Sequence, residues 1–318
     1  MSRLDFEKPI CELEDKINEL RSFNSDKKAN LLPEIKKLED KLSKMRVDVY
    51  QKLSPWQRIQ IARHPDRPYT LDYIRLIAED FVELHGDRLF ADDYAMIAGF
   101  ATIDKQKFLV IGHQKGRDIK ENVLRNFGCA HPEGYRKAMR LMQIAEKFNL
   151  PVLIFIDTPG AYPGVGAEER GQAQAIAKNL MDMARISVPI VAFVIGEGGS
   201  GGALGIGVAD RVLILQHAYY SVISPEGCAS ILWRNSVRAP DAALALKIMG
   251  ENLLEFGMVE EIIEEPLGGA HRDPEAVAAG IKKAAIVHVK ELMKLSKKEL
   301  LDARYERFRR IGKFIEEE

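Results

Sequence analysis

The pattern best suited to chemistry in this chain of 318 residues is a glycine-rich run from Gly196 to Gly207, in which seven of twelve residues are glycine. The run follows the apolar stretch Ile190–Ile195 and leads into helix-compatible residues such as Ala203 and Leu204. Glycine lets the backbone approach a ligand closely, and the first N–H groups of a helix have no acceptor within it. This strand–turn–helix pattern predicts an anion site, for a phosphate or for an oxyanion formed in acyl chemistry.

The identity of this anion has several interpretations. A P-loop requires the pattern GxxxxGK[ST], and the run contains no lysine. The spacing of Gly196, Gly198 and Gly201 matches the dinucleotide pattern GxGxxG, but an acidic residue is expected about 20 residues later, and Asp210 comes too early. Tight packing without a ligand is a further alternative. We favour a site for an oxyanion or a thioester carbonyl.

A second glycine-rich segment, Asp157–Gly171, also lies between an apolar stretch and a helical pattern. Two such units in succession can face one crevice, and each can contribute a backbone N–H. Glu168 and Glu169 in this segment are either acid–base groups or carboxylates that favour the positive end of the following helix. We favour the second interpretation.

Other polar residues give weaker signals. Ser224 and Pro225 suit the start of a helix, although Glu226 remains a candidate polar wall or base. The segment Gly199–Gly201 contains a serine, but no partner base is evident for a nucleophile. The histidines that we considered as bases belong to no motif, and they are His113, His131 and His217.

A locally basic stretch lies between residues 115 and 140, where seven Lys or Arg accompany three Asp or Glu. It is either a surface for CoA phosphates or an acidic carrier protein, or an ordinary solvated face.

The composition excludes several classes of protein. Hydrophobic residues make up 46% and charged residues 29%, which is typical of globular proteins. The net charge is -1, so no overall basic field indicates nucleic acid. The apolar runs are too short to span a bilayer, and the first residues lack the apolar core of a signal peptide. The three cysteines form no CxxC pair, so we expect no metal site in this chain and a cytoplasmic location.

Short runs rich in Val, Ile and Leu predict strands that are buried on both faces. Helical patterns separate them at roughly 133–148, 168–186 and 201–208, so repeated β-then-α units predict a layered α/β fold with largely parallel strands. Two more helical regions follow, near 240–256 and 274–312, and we expect the last to be a solvated outer helix. The predicted strands are Phe108–Ile111, Val152–Ile156, Ile190–Ile195 and Val212–Leu215.

The chain before residue 55 differs from the rest. Apolar residues spaced three and four apart on a highly charged background predict two helices, with a turn at Ser22–Asp26. We therefore divide the chain into a helical hairpin, residues 1–54, and a main domain, residues 55–318. The hairpin is either an arm for docking or oligomerisation or a helix pair packed on its own domain. The two prolines within His64–Pro68 end the helical N-terminal part of the chain. Thr70 is predicted to cap the next helix.

Taken together, the motifs closely resemble the α-subunit family of bacterial acetyl-CoA carboxylase carboxyltransferases. The resemblance covers nearly the whole chain, including the charged N-terminal hairpin. The segments that carry it are Arg67–Tyr73, Gly112–Arg117, Asp157–Gly171, Gly196–Leu204, Tyr220–Trp233 and Glu265–His271.

The resemblance implies a crotonase-like (ClpP/crotonase) fold, a superhelix of stacked ββα units. It implies carboxyl transfer from carboxybiotin to acetyl-CoA, which gives malonyl-CoA in the first committed step of fatty acid synthesis. Biotin is then attached covalently to a separate biotin carboxyl carrier protein, and a separate biotin carboxylase uses the ATP. A β subunit supplies the other lobe, most of the acetyl-CoA site and a zinc ribbon, in an α2β2 assembly.

The resemblance also assigns site residues. Gly201 and Gly202 match the loop whose backbone N–H groups stabilise the oxyanion on the biotin side. The further substrate- or cofactor-binding residues implied are Gly164, Gly166, Gly198, Gly199 and Glu226.

Two alternatives to a carboxyltransferase subunit are kept. A stand-alone crotonase-type acyl-CoA hydratase or isomerase uses the same oxyanion loops, with Glu168, Glu169 or Glu226 as acid–base groups. A non-catalytic scaffold subunit has glycine loops that only pack.

Overall fold

A computed structural model describes residues 4–26 and 31–312. Eight strands in these residues form one sheet in the order β1-β2-β3-β4-β5-β6-β8, with β7 paired to β5. The pairs β1–β2 and β2–β3 are antiparallel, and all later pairs are parallel. The strands are β1 (Asp80–Glu83), β2 (Met96–Ile103), β3 (Gln106–His113), β4 (Val152–Thr158), β5 (Ile190–Gly199), β6 (Arg211–Leu215), β7 (Tyr219–Ser221) and β8 (Glu261–Ile263).

The described part of the chain also forms helices and three short 3₁₀ turns, at Asp5–Glu7, Asn126–Gly128 and Ser236–Arg238. None of the described helices is both long and apolar enough to cross a membrane. The α-helices are α1 (Lys8–Asp26), α2 (Leu32–Tyr50), α3 (Pro55–Ala62), α4 (Thr70–Ile77), α5 (Ile119–Leu124), α6 (Pro132–Lys147), α7 (Val165–Glu169), α8 (Gln172–Met183), α9 (Ser200–Leu204), α10 (Pro225–Trp233), α11 (Ala239–Leu246), α12 (Gly250–Glu255), α13 (Pro274–Leu292) and α14 (Lys297–Arg309).

The four predicted strands are confirmed, and so is their parallel arrangement. They lie within β3, β4, β5 and β6. Every residue of β4 and of β5 is buried, which explains their continuous apolar sequence. Parallel strands place their carboxyl ends at one edge of the sheet, and that edge carries the loops of the candidate site.

Three predicted helices are wrong in extent. The region 168–186 contains two helices, α7 and α8, because Gly171 adopts a left-handed φ of +82° between them. The region 240–256 likewise divides at Lys247, whose φ is +52°. Helix α9 ends at Leu204 instead of near residue 208.

The C-terminal region is not the single solvated outer helix that was predicted, although its last part, α14, is largely exposed. It divides into α13 and α14, since Ser296 forms a capping box with Glu299 that starts a new helix. Helix α13 buries an apolar stripe that includes Val277, Ile281 and Val289, so it forms part of the main core.

The turn predicted at Ser22–Asp26 is also wrong, because α1 continues through Asp26. Ser22 fits this helix by donating its hydroxyl to the carbonyl of Glu19 at 2.8 Å. The predicted cap at Thr70 is wrong as well. Tyr69 occupies the N-cap position, and the Thr70 hydroxyl instead donates to the carbonyl of His113.

Candidate functional site

The glycine run lies where β5 passes into α9, at the carboxyl edge of the sheet. Gly198 and Gly199 belong to β5 and pair with β7, so the run begins inside the strand and not after it. No side chain caps α9. The N–H groups of Gly201 and Gly202 therefore lie in a first helical turn that offers them no acceptor.

Gly202 and Gly199 lie directly against the loop that follows β4. A Cβ atom added at Gly202 would be 2.4 Å from the carbonyl carbon of Gly160 and 2.5 Å from the nitrogen of Ala161. One added at Gly199 would be 2.2 Å from the carbonyl oxygen of Pro159. Only glycine permits this contact of two backbones, so the turns after β4 and β5 lie side by side.

Gly201 has a different environment, because it faces open space. A Cβ atom added there would meet only the Ile176 side chain, at 3.8 Å. Gly201 instead lines a cavity of about 390 Å³ with a largely apolar wall, to which Leu204, Val222 and Met258 contribute. The first turn of α9 thus stands between a packed backbone contact and an apolar cavity.

Ser200 joins β5 to α9 with a left-handed φ of +43°. A serine at a strained strand-to-helix turn is typical of a nucleophile elbow. Among the described residues, however, no histidine or carboxylate is hydrogen-bonded to its hydroxyl. The geometry therefore gives no support to a serine nucleophile.

The loop after β4 places the weaker candidates at the start of α7. Gly164 is the N-cap residue and Gly166 lies inside the helix. Glu168 lies in the first turn, where a carboxylate favours the positive helix end. The residues of this loop that contact Gly202 are Gly160 and Ala161, which precede Gly164 in the chain.

A buried charge network next to the glycine run was missed by the sequence analysis. The Lys115 ammonium donates to Asp157 Oδ1 at 2.7 Å and to Glu197 Oε1 at 2.9 Å. Arg63 Nε donates to Glu197 Oε2 at 2.7 Å, and the Tyr219 hydroxyl donates to the same oxygen at 2.6 Å. The sequence did contain a signal for this network, namely a charged residue near the end of each of two predicted strands. Asp157 follows an apolar run, and Glu197 lies among glycines.

The network keeps its charges because its members stabilise one another. Burial alone would raise the pKa of Glu197, but the charges of Lys115 and Arg63 lower that pKa to about 2. Burial alone would lower the pKa of Lys115, but Asp157 and Glu197 raise it above its ordinary value. Both groups are therefore ionised at neutral pH.

Glu226 belongs to the same network. Ser224 caps α10, and Pro225 occupies its first turn, as predicted. The Glu226 carboxylate accepts a hydrogen bond from Arg63 Nη1 at 2.6 Å. Through Arg63 it is joined to Glu197, so Glu226 is an ion-pair partner and not a free base.

The candidate histidine bases are neutral or occupied by neighbours. Burial, together with the Lys115 charge, lowers the pKa of His113 to about 3. Burial lowers the pKa of His217 to about 4. His131 stacks on Tyr162 with ring centroids 4.2 Å apart. This arrangement assigns no proton-transfer role to any of the three.

The basic stretch between residues 115 and 140 pairs much of its charge within the chain. Arg136 binds Asp87 at 2.7 Å, and Lys137 binds Asp92 at 2.6 Å. These cations are therefore not free to bind phosphates. In residues 4–26 and 31–312, no group of three or more His, Cys, Asp or Glu is placed to hold a metal ion.

Comparison with known proteins gives a match over nearly the full chain. The family described as "Acetyl co-enzyme A carboxylase carboxyltransferase-like" matches residues 3–312. The acetyl-coenzyme A carboxylase carboxyl transferase subunit alpha of Geobacter metallireducens is 55% identical over 99% of this chain and 98% of its own length. The protein of the same name from Methylococcus capsulatus is 57% identical over 98% of each chain.

Solved structures share the fold at low sequence identity. A Pseudomonas malonate decarboxylase hetero-tetramer in complex with coenzyme A has a TM-score of 0.59 at 15% identity, covering 74% of this chain and 91% of that one. The transcarboxylase 12S structure has a TM-score of 0.57 at 20% identity, covering 72% of this chain and 44% of that one. The predicted crotonase-like fold is confirmed.

Proposed function

The chain belongs to the acetyl-CoA carboxylase carboxyltransferase family, and we propose that it acts as the α subunit of that enzyme. With a β subunit it transfers a carboxyl group to acetyl-CoA and forms malonyl-CoA. The group is supplied by carboxybiotin attached to a carrier protein, which a biotin carboxylase charges.

One observation carries the proposed role of this chain. Gly202 lies against the backbone of the neighbouring turn while Gly201 lines an apolar cavity. The uncapped N–H groups of the first turn of α9 are thereby held rigidly beside a space from which a ligand can exclude water. Fixed donors in such a place stabilise negative charge that develops on a ligand oxygen, and one such donor typically contributes 10²–10³ in kcat.

The residues present fit a flat, weakly polar ring system such as that of biotin. The cavity has a volume of about 390 Å³ and a largely apolar wall, and Ser200 and Gly201 are among the residues that line it. Gly201, which lines the cavity, and Gly202, the next residue of the same helical turn, would hold the ring oxygen through their N–H groups. Biotin supplies the transferable carboxyl group and, once this is lost, a basic ureido group.

A partner subunit is part of the proposal because, among the described residues, cations of the basic stretch are engaged within the chain. Acetyl-CoA carries phosphates, and cations of the basic stretch that would suit them, such as Lys115 and Arg136, are engaged with carboxylates of the same chain. Most of the acetyl-CoA site is therefore assigned to the β subunit.

The test is reconstitution of the chain with its carboxyltransferase β partner. The complex should decarboxylate malonyl-CoA in the presence of free biotin, which is the reverse reaction, and the isolated chain should not. Turnover of an enoyl-CoA by the isolated chain would instead favour the stand-alone hydratase or isomerase. Full activity of a complex carrying Gly202→Val would favour the non-catalytic scaffold.

A further inference from the structure

Strand β5 is irregular near its carboxyl end, just before the turn at Ser200 that leads into α9 (the glycine turn). It stays in register with β4 up to the pair Ile156↔Val194, but the next pair is Thr158↔Gly198. Asp157 alone therefore faces three residues of β5, from Ile195 to Glu197. A bulge of this kind bends the strand and leaves backbone groups without ladder partners.

Charged side chains satisfy two backbone groups of the bulge. Asp157 Oδ1 accepts the N–H of Glu197 at 2.9 Å. Arg67 Nε donates to the carbonyl of Ile195 at 2.7 Å. The bulge also requires glycine at its centre, because a Cβ atom on Gly196 would lie 2.5 Å from Asp157 Oδ1.

The side chains that hold the bulge are themselves fixed. Lys115 joins Asp157 to the Glu197 carboxylate. Arg67 makes two hydrogen bonds to Glu265, of 2.8 and 2.7 Å, and both side chains are fully buried. Because burying an ion pair often adds little net stability, these buried charges suit a role in fixing the backbone of the bulge better than a role in stability alone.

We propose that Lys115, Asp157 and Glu197 are positioning residues that fix the bulge of β5 and thereby set the direction of the N–H groups in the turn beginning at Ser200. This inference rests on the proposed function. A misplacement of about 1 Å costs on the order of 10²-fold in rate when reacting groups must be aligned, so loosening the bulge lowers kcat even if the fold persists.

The opposite end of the same strand provides a matched control. Asp210 Oδ2 accepts the N–H of Ile190, the first residue of β5, at 2.7 Å. Asp210 is also bound by Arg304 through bonds of 2.8 and 2.7 Å. This carboxylate makes the same kinds of contact as Asp157, namely a β5 N–H and a buried cation, but it lies away from the glycine turn.

The experiment uses the reconstituted complex, malonyl-CoA and free biotin. Asp157→Asn and Glu197→Gln should each lower kcat by about 10- to 100-fold, with KM for biotin within about twofold of wild type. Asp210→Asn should lower the melting temperature about as much as Asp157→Asn does, but it should leave kcat within about twofold of wild type. Tyr219→Phe removes one hydroxyl, which donates to Glu197 and accepts from Arg63, and should lower kcat about threefold. It is the deciding variant if the other variants fail to fold.

Two results would overturn the inference. One is an equal loss of kcat in Asp210→Asn and Asp157→Asn at equal loss of melting temperature, which a purely structural role predicts. The other is an unchanged kcat in every folded variant at the bulge. An inactive wild-type complex would contradict the proposed function itself. This outcome is distinguishable from the two results above, because they require an active wild-type complex.

Discussion

The two ends of β5 use the same chemistry for different purposes. At the amino end, residues up to Val194 pair with β4 and β6, and the buried pair Asp210–Arg304 completes a regular ladder. At the carboxyl end the ladder is interrupted opposite Asp157, and glycine replaces apolar side chains. A buried carboxylate holds the backbone at each end, but only the carboxyl end leaves N–H groups unused by the fold. The end of β5 with regular strand pairing thus supports the fold, whereas the end with interrupted strand pairing forms the candidate site.

The largest effect on stability is expected at the amino end. Arg304→Met leaves the Asp210 carboxylate buried without its cation, and Arg304 also donates to three carbonyls, including that of Val188. Breaking a buried pair in this way costs about 3–5 kcal/mol. Denaturant unfolding of the free subunit should show this loss, whereas kcat of the complex, measured where the variant is folded, should stay within about twofold. A large loss of kcat would contradict the claim that the amino end of β5 serves stability and not catalysis.

Gly202→Ala is expected to affect both stability and activity at the carboxyl end. The new methyl group meets the Gly160 backbone, which cannot move aside as a flexible side chain can. Overpacking of this kind costs about 1–3 kcal/mol, and it separates the two turns, so kcat should fall strongly. Gly280→Ala in α13 is the control, since its methyl group meets only Ile263 at 3.2 Å. Equal behaviour of the two variants would contradict the assigned contact.

Acid should destabilise the carboxyl edge through His113, which ends β3. Its pKa is about 3 in the folded chain against an ordinary 6.5, so below pH 6.5 the unfolded state binds more protons and stability falls. The expected loss from His113 alone is about 2 kcal/mol between pH 7 and pH 5. His217, whose pKa is about 4, adds a separate loss over the same interval. The Glu197 pKa of about 2 adds a loss only below about pH 4.5. Unfolding of His113→Leu should show a weaker pH dependence over that interval, and an unchanged slope would contradict the assignment.

Ser200→Gly is expected to give the smallest effect. A serine with a left-handed φ is strained by about 1 kcal/mol relative to glycine. Because the strain lies in the turn and not in the ladder, the variant should gain about 1 kcal/mol in the free energy of unfolding. Thermal unfolding of the free subunit measures this gain. A loss of stability would show that the hydroxyl has a structural partner.

The sequence predicts the regular part of this molecule better than the irregular part. Apolar runs such as Val152–Ile156 identify the buried parallel strands because burial on both faces demands such residues. The glycine run identifies the carboxyl end of β5. The bulge was not predictable, since Arg67 reaches it from about 130 residues earlier in the chain. The helix end at Lys247 was also missed, because the left-handed φ of this single non-glycine residue depends on its tertiary surroundings.

The most direct test of the central claim removes one N–H group and compares the result with a substitution at the same position that keeps it. Proline is tolerated in the first turn of a helix because the N–H there has no helical acceptor. Gly201→Pro deletes the proposed donor, whereas Gly201→Ala keeps it and only adds a methyl group toward the cavity. In the reconstituted complex, the account predicts that Gly201→Ala raises KM for biotin with kcat within about threefold of wild type, and that Gly201→Pro lowers kcat by about 10²–10³. Equal kcat values for the folded proline and alanine variants would contradict it.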